Sequence, residues 1–213
     1  MITVVGCDKG GAGKSTTCLN IAVGLTLRGK EVIVLDADGQ ASNGLWHSRR
    51  EAAERQPMIT LAQKYGNLVH TVTSLADKYE HVLIDVAGRN SAELISSMVV
   101  ADLVIAPHQC SDFDIDTIRQ LRKHYANVAP VNPKLRVLIY QAIASTHHTV
   151  RESERAEFLE ALSGFPEFEV LESIGRYRKV YKDSIKLGLS VLECGNKDAQ
   201  QEINDLLQEV FHV

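Results

Sequence analysis

The chain of 213 residues is 45% apolar and 23% charged and carries a net charge of −4. That length suits one domain with a substantial core, and the composition is ordinary for a globular protein. A small negative charge excludes a globally basic binder of nucleic acid or anionic lipid, so any such contact must come from a local patch.

Short apolar runs alternate with amphipathic stretches. ITVVG (2–6), EVIVLDAD (31–38), HVLIDV (81–86), DLVIAP (102–107) and LRVLIYQAI (135–143) are nearly continuous in Val, Ile and Leu. Strands buried on both faces of a parallel sheet read this way. Between them, 16–28, 67–79, 91–101 and 114–128 carry helical periodicity. Beyond residue 145 the pattern turns mostly helical, with a short strand expected at EFEVLES (167–173). A final helix places Ile203, Leu206, Leu207 and Val210 on one stripe. The alternation predicts an α/β fold over 1–213: one domain, a mostly parallel twisted sheet, and helices on both faces. Cys7, Cys18, Cys110 and Cys194 form no Cys-x-x-Cys pair and read as reduced thiols of a cytoplasmic protein. No apolar run approaches ~18 residues, and no leader is expected ahead of the first strand.

The stretch CDKGGAGKST (7–16) sits where the first apolar run ends. Strand, glycine-rich turn, helix is the context of a phosphate-binding loop, whose usual form is G-x-x-x-x-G-K-[ST]. Gly10, Gly11, Ala12 and Gly13 would turn successive N–H groups toward phosphate oxygens, and the helix N-terminus would add its dipole. Lys14 would reach the β- and γ-phosphates, Ser15 would ligate Mg²⁺, and Thr16 would close the loop. The departure is at the entrance, where Asp8 replaces the first glycine and a second lysine, Lys9, follows. Lys9 is placed poorly for the nucleotide its own loop cradles. In two loops set face to face it would reach the phosphates of the opposite subunit, as an arginine finger does in trans. Spacing alone is equally compatible with an exposed lysine at a turn.

KGGAGKST resembles the deviant Walker A motif, K-G-G-x-G-K-[ST], of the ParA/MinD family of P-loop NTPases. EVIVLDADGQAS resembles that family's second motif, D-x-D-P-Q; HVLIDVAG its Walker B strand; and DLVIAP the strand after it. GRYRKVYKDSIKLGLSVLE resembles a C-terminal segment of the small plasmid-partition, ParF-like branch, which lacks the N-terminal DNA-binding extension of larger relatives. The resemblance implies that Lys9 is the signature lysine acting across an ATP-bound homodimer. It also implies that Lys14 is catalytic, that Asp38 positions the attacking water, and that Asp85 is the Walker B acid, acting on Mg²⁺ through water. Asp36 reads as a supporting acid, and Gln40 matches the glutamine of D-P-Q. Three positions depart from the family: Asp8 brings negative charge near phosphates, Gly39 replaces proline, and V-A-G-R (86–89) replaces a double proline.

The implied activity is ATP hydrolysis with ATP and Mg²⁺ as cofactors, driving DNA partition by a nucleoid-associated cytoplasmic protein. Its partners would be non-specific DNA and a centromere-binding or cargo adaptor protein. Positioning of other cargo, a nucleotide-dependent scaffold with little turnover, and a metabolic P-loop enzyme are the alternatives. The dense basic segment available for DNA is Arg176, Arg178, Lys179, Lys182 and Lys186, against a single Asp183. On a helix, 178/179, 182 and 186 share one face. No membrane is expected as a partner, because the last helix carries Glu202, Asp205 and Glu209 and no lysine follows Lys197. His147 and His148 are adjacent, without zinc spacing, and read as a surface loop.

Overall fold

A computed structural model describes residues 1–40, 42–88, 92–110 and 115–213. Seven strands form one sheet: β1 (Ile2–Val5), β2 (Val32–Ala37), β3 (Thr60–Gln63), β4 (His81–Val86), β5 (Leu103–His108), β6 (Arg136–Ala144) and β7 (Glu169–Arg176). Their order is β3-β2-β4-β1-β5-β6-β7, and every pairing is parallel. The sheet is thus parallel throughout, and the strand expected at 167–173 is its seventh member.

Successive residues of each central strand feed opposite cores, as a period of two demands. Val4, Ile33, Leu35, Val82, Ile84 and Val104 join one cluster, which α3 (Val69–Ala76), α4 (Ala92–Met98), α5 (Ile115–Val128) and α6 (His148–Leu162) help to close. Val5, Val32, Val34, Leu83, Leu103 and Ile105 join the other, under α1 (Lys14–Leu27), α2 (Ser42–Ala52), α7 (Lys179–Lys186) and α8 (Lys197–Phe211). Burial on both faces explains the near-continuous apolar runs.

Two elements carried no apolar signature. β3 is a four-residue edge strand with exposed ends. The inward residues of α2 are Asn43, Trp46 and Arg50, so its buried face is largely polar and hides the helical period. His148 begins α6 and His147 is its N-cap, both exposed, where a loop was expected. Ala41, Ser91, Arg89 and Asp114, which fall within the motifs and helices read from the sequence, lie outside the described residues.

The strand order brings the site together. From β1 the chain runs outward to β2 and β3, then returns through β4 and crosses β1 to β5. Loops leaving neighbouring strands therefore diverge at the carboxyl edge beside β1, the switch point where open α/β sheets bind ligands.

Candidate nucleotide site at the phosphate loop

A cavity of about 850 Å³ opens at that edge. It is lined by Gly10, Gly11, Gly13, Lys14, Ser15 and Thr16, with Asp38 and Gln40, and by Gly175 to Lys179, Tyr181 and Lys182. Gly13 has φ 91°, left-handed backbone that glycine alone adopts without strain, and it is the residue from which α1 starts. Its carbonyl accepts the Thr17 N–H at 2.8 Å. The loop is braced from the next strand, because Gln109 Nε2 donates to Gly11 O at 2.7 Å.

Lys14 is 7% exposed, and its Nζ donates to Lys9 O at 2.6 Å. The loop after β4 presses onto this pair. A Cβ at Gly88 would lie 2.5 Å from both Lys14 Nζ and Lys9 O, so only glycine fits. Asp8 turns away from the cavity and faces α5, with Oδ1 at 3.3 Å from His124 Nε2. The acid that brings negative charge to the loop entrance is therefore drawn off to another element.

The carboxylates form a graded set. Asp38, half-buried just past β2, lines the cavity; its N–H donates to Asp36 Oδ1 at 3.1 Å, and its own Oδ1 accepts Gln40 N–H at 2.9 Å. Asp36 and Asp85 are neighbours in register across β2 and β4, and both are fully buried. Asp85 Oδ2 accepts from Asn43 Nδ2 at 2.7 Å. Asp85 Oδ1 and Asp36 Oδ2 have no hydrogen-bond partner. Burial pushes Asp85 up to about 7, against the opposing pull of Ser15 and Asn43, and it raises Asp36 as well. Two adjoining acids with unmet oxygens beneath a phosphate loop have the chemistry of a divalent-cation site. Among the described residues no cluster of three or more His, Cys, Asp or Glu is arranged to hold a metal alone. The remaining ligands would come from Ser15 and the phosphates.

Several residues of the site had no signal in the sequence. Asn43 belongs to no motif and is visible only once α2 is seen to turn its polar face inward. Ile143 has φ 57°, left-handed and strained for a β-branched residue, beside register shifts in β6. The distortion aims it into the cavity opposite Gly13, and its Cδ1 would meet a Cβ there at 3.7 Å. Cys7 is fully buried, with Sγ donating to Pro107 O at 3.2 Å, and burial raises its thiol.

The basic segment divides. Arg176 ends β7, and Arg178 caps α7 and is ion-paired to Glu202 and Asp198, at 2.8 and 3.0 Å. Of the expected face 178/179, 182 and 186, Arg178 thus precedes the helix and is paired. Lys179, Lys182 and Lys186 do share a face of α7 and are exposed, Lys179 lying 3.8 Å from Asp183. None of the described helices is long and apolar enough to cross a membrane.

A parallel sheet, a strand–loop–helix phosphate cradle and acids on the adjacent strand ends define a P-loop nucleotide-binding protein. Residues 2–188 match the CobQ/CobB/MinD/ParA nucleotide-binding domain, and the chain belongs to that family. It is 28% identical over 208 residues to maintenance of carboxysome distribution protein A of Halothiobacillus neapolitanus, covering 95% of this chain and 93% of that one. An ATP complex of a McdA variant from Cyanothece superposes with a TM-score of 0.77 at 14% identity, covering 99% and 96% of the two chains. A plasmid partition protein of Borrelia burgdorferi bound to AMPPNP gives 0.73 at 17% identity, covering 99% and 98%.

Proposed function

We propose that this protein is an ATP-hydrolysing, ATP-dimerised partition or positioning ATPase that binds DNA without sequence preference. The observation that carries the reading is the double-lysine loop: Lys14 lies in the cradle, and Lys9 stands five residues earlier on the same loop, its carbonyl held by Lys14 Nζ. In this reading Lys14 neutralises the phosphates of its own nucleotide and Lys9 those of the nucleotide in the opposite subunit. Asp38, at the cavity wall, orients the attacking water. Bound Mg²⁺ would neutralise charge on the β- and γ-phosphates; Ser15 and Asp38 would hold it, with Asp85 beneath them acting through water. The orphaned oxygens of Asp36 and Asp85 fit that assignment. The relative named for carboxysome distribution, matched over nearly its whole length, supports a cargo-moving role. The adaptor would be a centromere-binding or cargo protein that stimulates hydrolysis.

The exposed lysines of α7 support DNA as the track. Two copies of Lys179, Lys182 and Lys186 would neutralise about six phosphates, giving a log–log salt slope of about −5. The test is a titration of random-sequence duplex DNA with Mg·ATP, with Mg·ADP and without nucleotide, across a salt series, for the wild type and Lys9→Ala. Binding by the wild type only in ATP, with that slope and with loss in Lys9→Ala, is expected. DNA binding indifferent to nucleotide, or undiminished in Lys9→Ala, overturns the trans-lysine dimer. Absence of binding throughout removes DNA and leaves protein cargo.

A further inference from the structure

The cavity wall at the junction of β7 and α7 is held by one carboxylate that does not itself line the cavity. Glu202, on α8, is 8% exposed and accepts three bonds: from Arg176 N–H at 3.1 Å, Arg178 Nε at 2.8 Å and Tyr181 Oη at 2.9 Å. The three donors come from the end of β7, the cap of α7 and its first turn, so a single side chain fixes the whole corner. That corner is tightly seated: the Tyr140 hydroxyl, fully buried, occupies the space a Cβ at Gly175 would need. The same helix packs along α1, and Arg28, which caps α1 at the end away from the phosphate loop, donates to Asn204 of α8 at 2.8 Å. Helix α8 contributes only Ile203 to the cavity lining.

We propose that Glu202 is a positioning residue for the nucleoside half of the ligand, acting through the β7–α7 wall of the cavity that it braces. The inference rests on the nucleotide reading above. Its physical basis is that a buried carboxylate receiving a guanidinium, a phenol and a backbone N–H holds all three in one geometry. The phosphate loop is held independently, by Gln109 on Gly11 and by Lys14 on Lys9. Loss of Glu202 should therefore loosen the β7–α7 wall and spare the phosphate loop.

The two regions are separated by comparing ATP with inorganic tripolyphosphate, which presents the phosphates without the nucleoside. Binding of both is measured by calorimetry on the wild type, Glu202→Gln and Glu209→Gln. Glu209 is a control on the same helix, bonded to the Glu172 and Ser173 N–H groups rather than to the cavity corner. Glu202→Gln is expected to weaken ATP about tenfold, the scale of one charge-assisted bond, with tripolyphosphate unchanged. Glu209→Gln should leave the ratio at its wild-type value. Equal weakening of both ligands by Glu202→Gln, no weakening of either, or the same ratio change in Glu209→Gln overturns the assignment. If Glu202→Gln does not fold, Tyr181→Phe decides with the same two ligands; it removes one donor, and an unchanged ratio overturns the inference. Failure of the nucleotide reading looks different, because wild-type protein then binds neither ligand.

Discussion

Asp36 and Asp85 on one side, and Glu193 and Glu202 on the other, are acids withdrawn from water into opposite surroundings. Glu193 takes both oxygens to the Arg50 guanidinium, at 2.8 and 2.9 Å, and also accepts the Ser190 N–H. Glu202 has its three donors. Asp36 and Asp85 each keep an oxygen with no partner. Since buried polar atoms are nearly always satisfied, Glu193 and Glu202 mark architecture, and Asp36 and Asp85 mark where a ligand is wanted. The contrast carries an energetic sign. Removing a partner from the satisfied acids should destabilise the protein, whereas removing charge from the unsatisfied ones should stabilise it.

The largest effect is expected at Arg50. It is fully buried on α2, and besides Glu193 it bonds Gly188 O at 2.8 Å and Pro57 O at 2.9 Å. Arg50→Ala would strand the Glu193 carboxylate and two backbone carbonyls. The expected loss is about 3–5 kcal/mol, the cost of breaking a buried pair from one side. Urea unfolding measures it, and a loss comparable to that of an exposed pair such as Arg136–Glu169 would contradict the contrast.

Asp85→Asn should move stability the other way. Folded Asp85 holds its proton to about pH 7, while the unfolded chain releases it near 3.8. Between those values the native state binds more protons, so this group's contribution falls as pH rises and is fully lost above about 7. The asparagine variant lacks the penalty. At pH 8 without nucleotide it should be more stable than the wild type by about 2–4 kcal/mol, with the gain shrinking toward pH 4. Because the comparison is between two proteins differing at one site, other titrating groups such as His108 cancel to first order. The same change should weaken the Mg²⁺ dependence of nucleotide affinity. A gain in stability independent of pH would show that burial of the charge is not its source.

How far each region could be read from the sequence follows from the same physics. The phosphate loop and the three strand-end aspartates are local: their chemistry depends on residues adjacent in sequence and on strands that announce themselves through Val, Ile and Leu. The satisfied acids depend on pairs 24 residues apart, as in Arg178–Glu202, or 143, as in Arg50–Glu193. No periodicity encodes those. Arg50 and Asn43 also read as ordinary surface residues, because α2 buries polar side chains and so shows no apolar stripe. The basic segment 176–186 shows the same limit. Charge counted along the chain treats Arg178 as available, whereas the fold has paired it with Asp198 and Glu202.

The smallest expected effect tests whether satisfaction around Glu193 is redundant. Ser190 caps the 3₁₀ turn Val191–Glu193, its Oγ accepting from Leu192 N–H at 3.1 Å and donating to Asn20 Oδ1 at 2.7 Å. Asn20 is fully buried on α1, and its Oδ1 also accepts the Val191 N–H at 2.9 Å. In Ser190→Ala the Asn20 oxygen keeps one donor and Glu193 keeps Arg50, so no buried charge is exposed. What is lost is a cap, worth about 1 kcal/mol. Thermal and urea unfolding should both report a loss several-fold smaller than that of Arg50→Ala. A loss equal to it would mean that Ser190 and Arg50 act as one cooperative network, whose pieces cannot be removed separately.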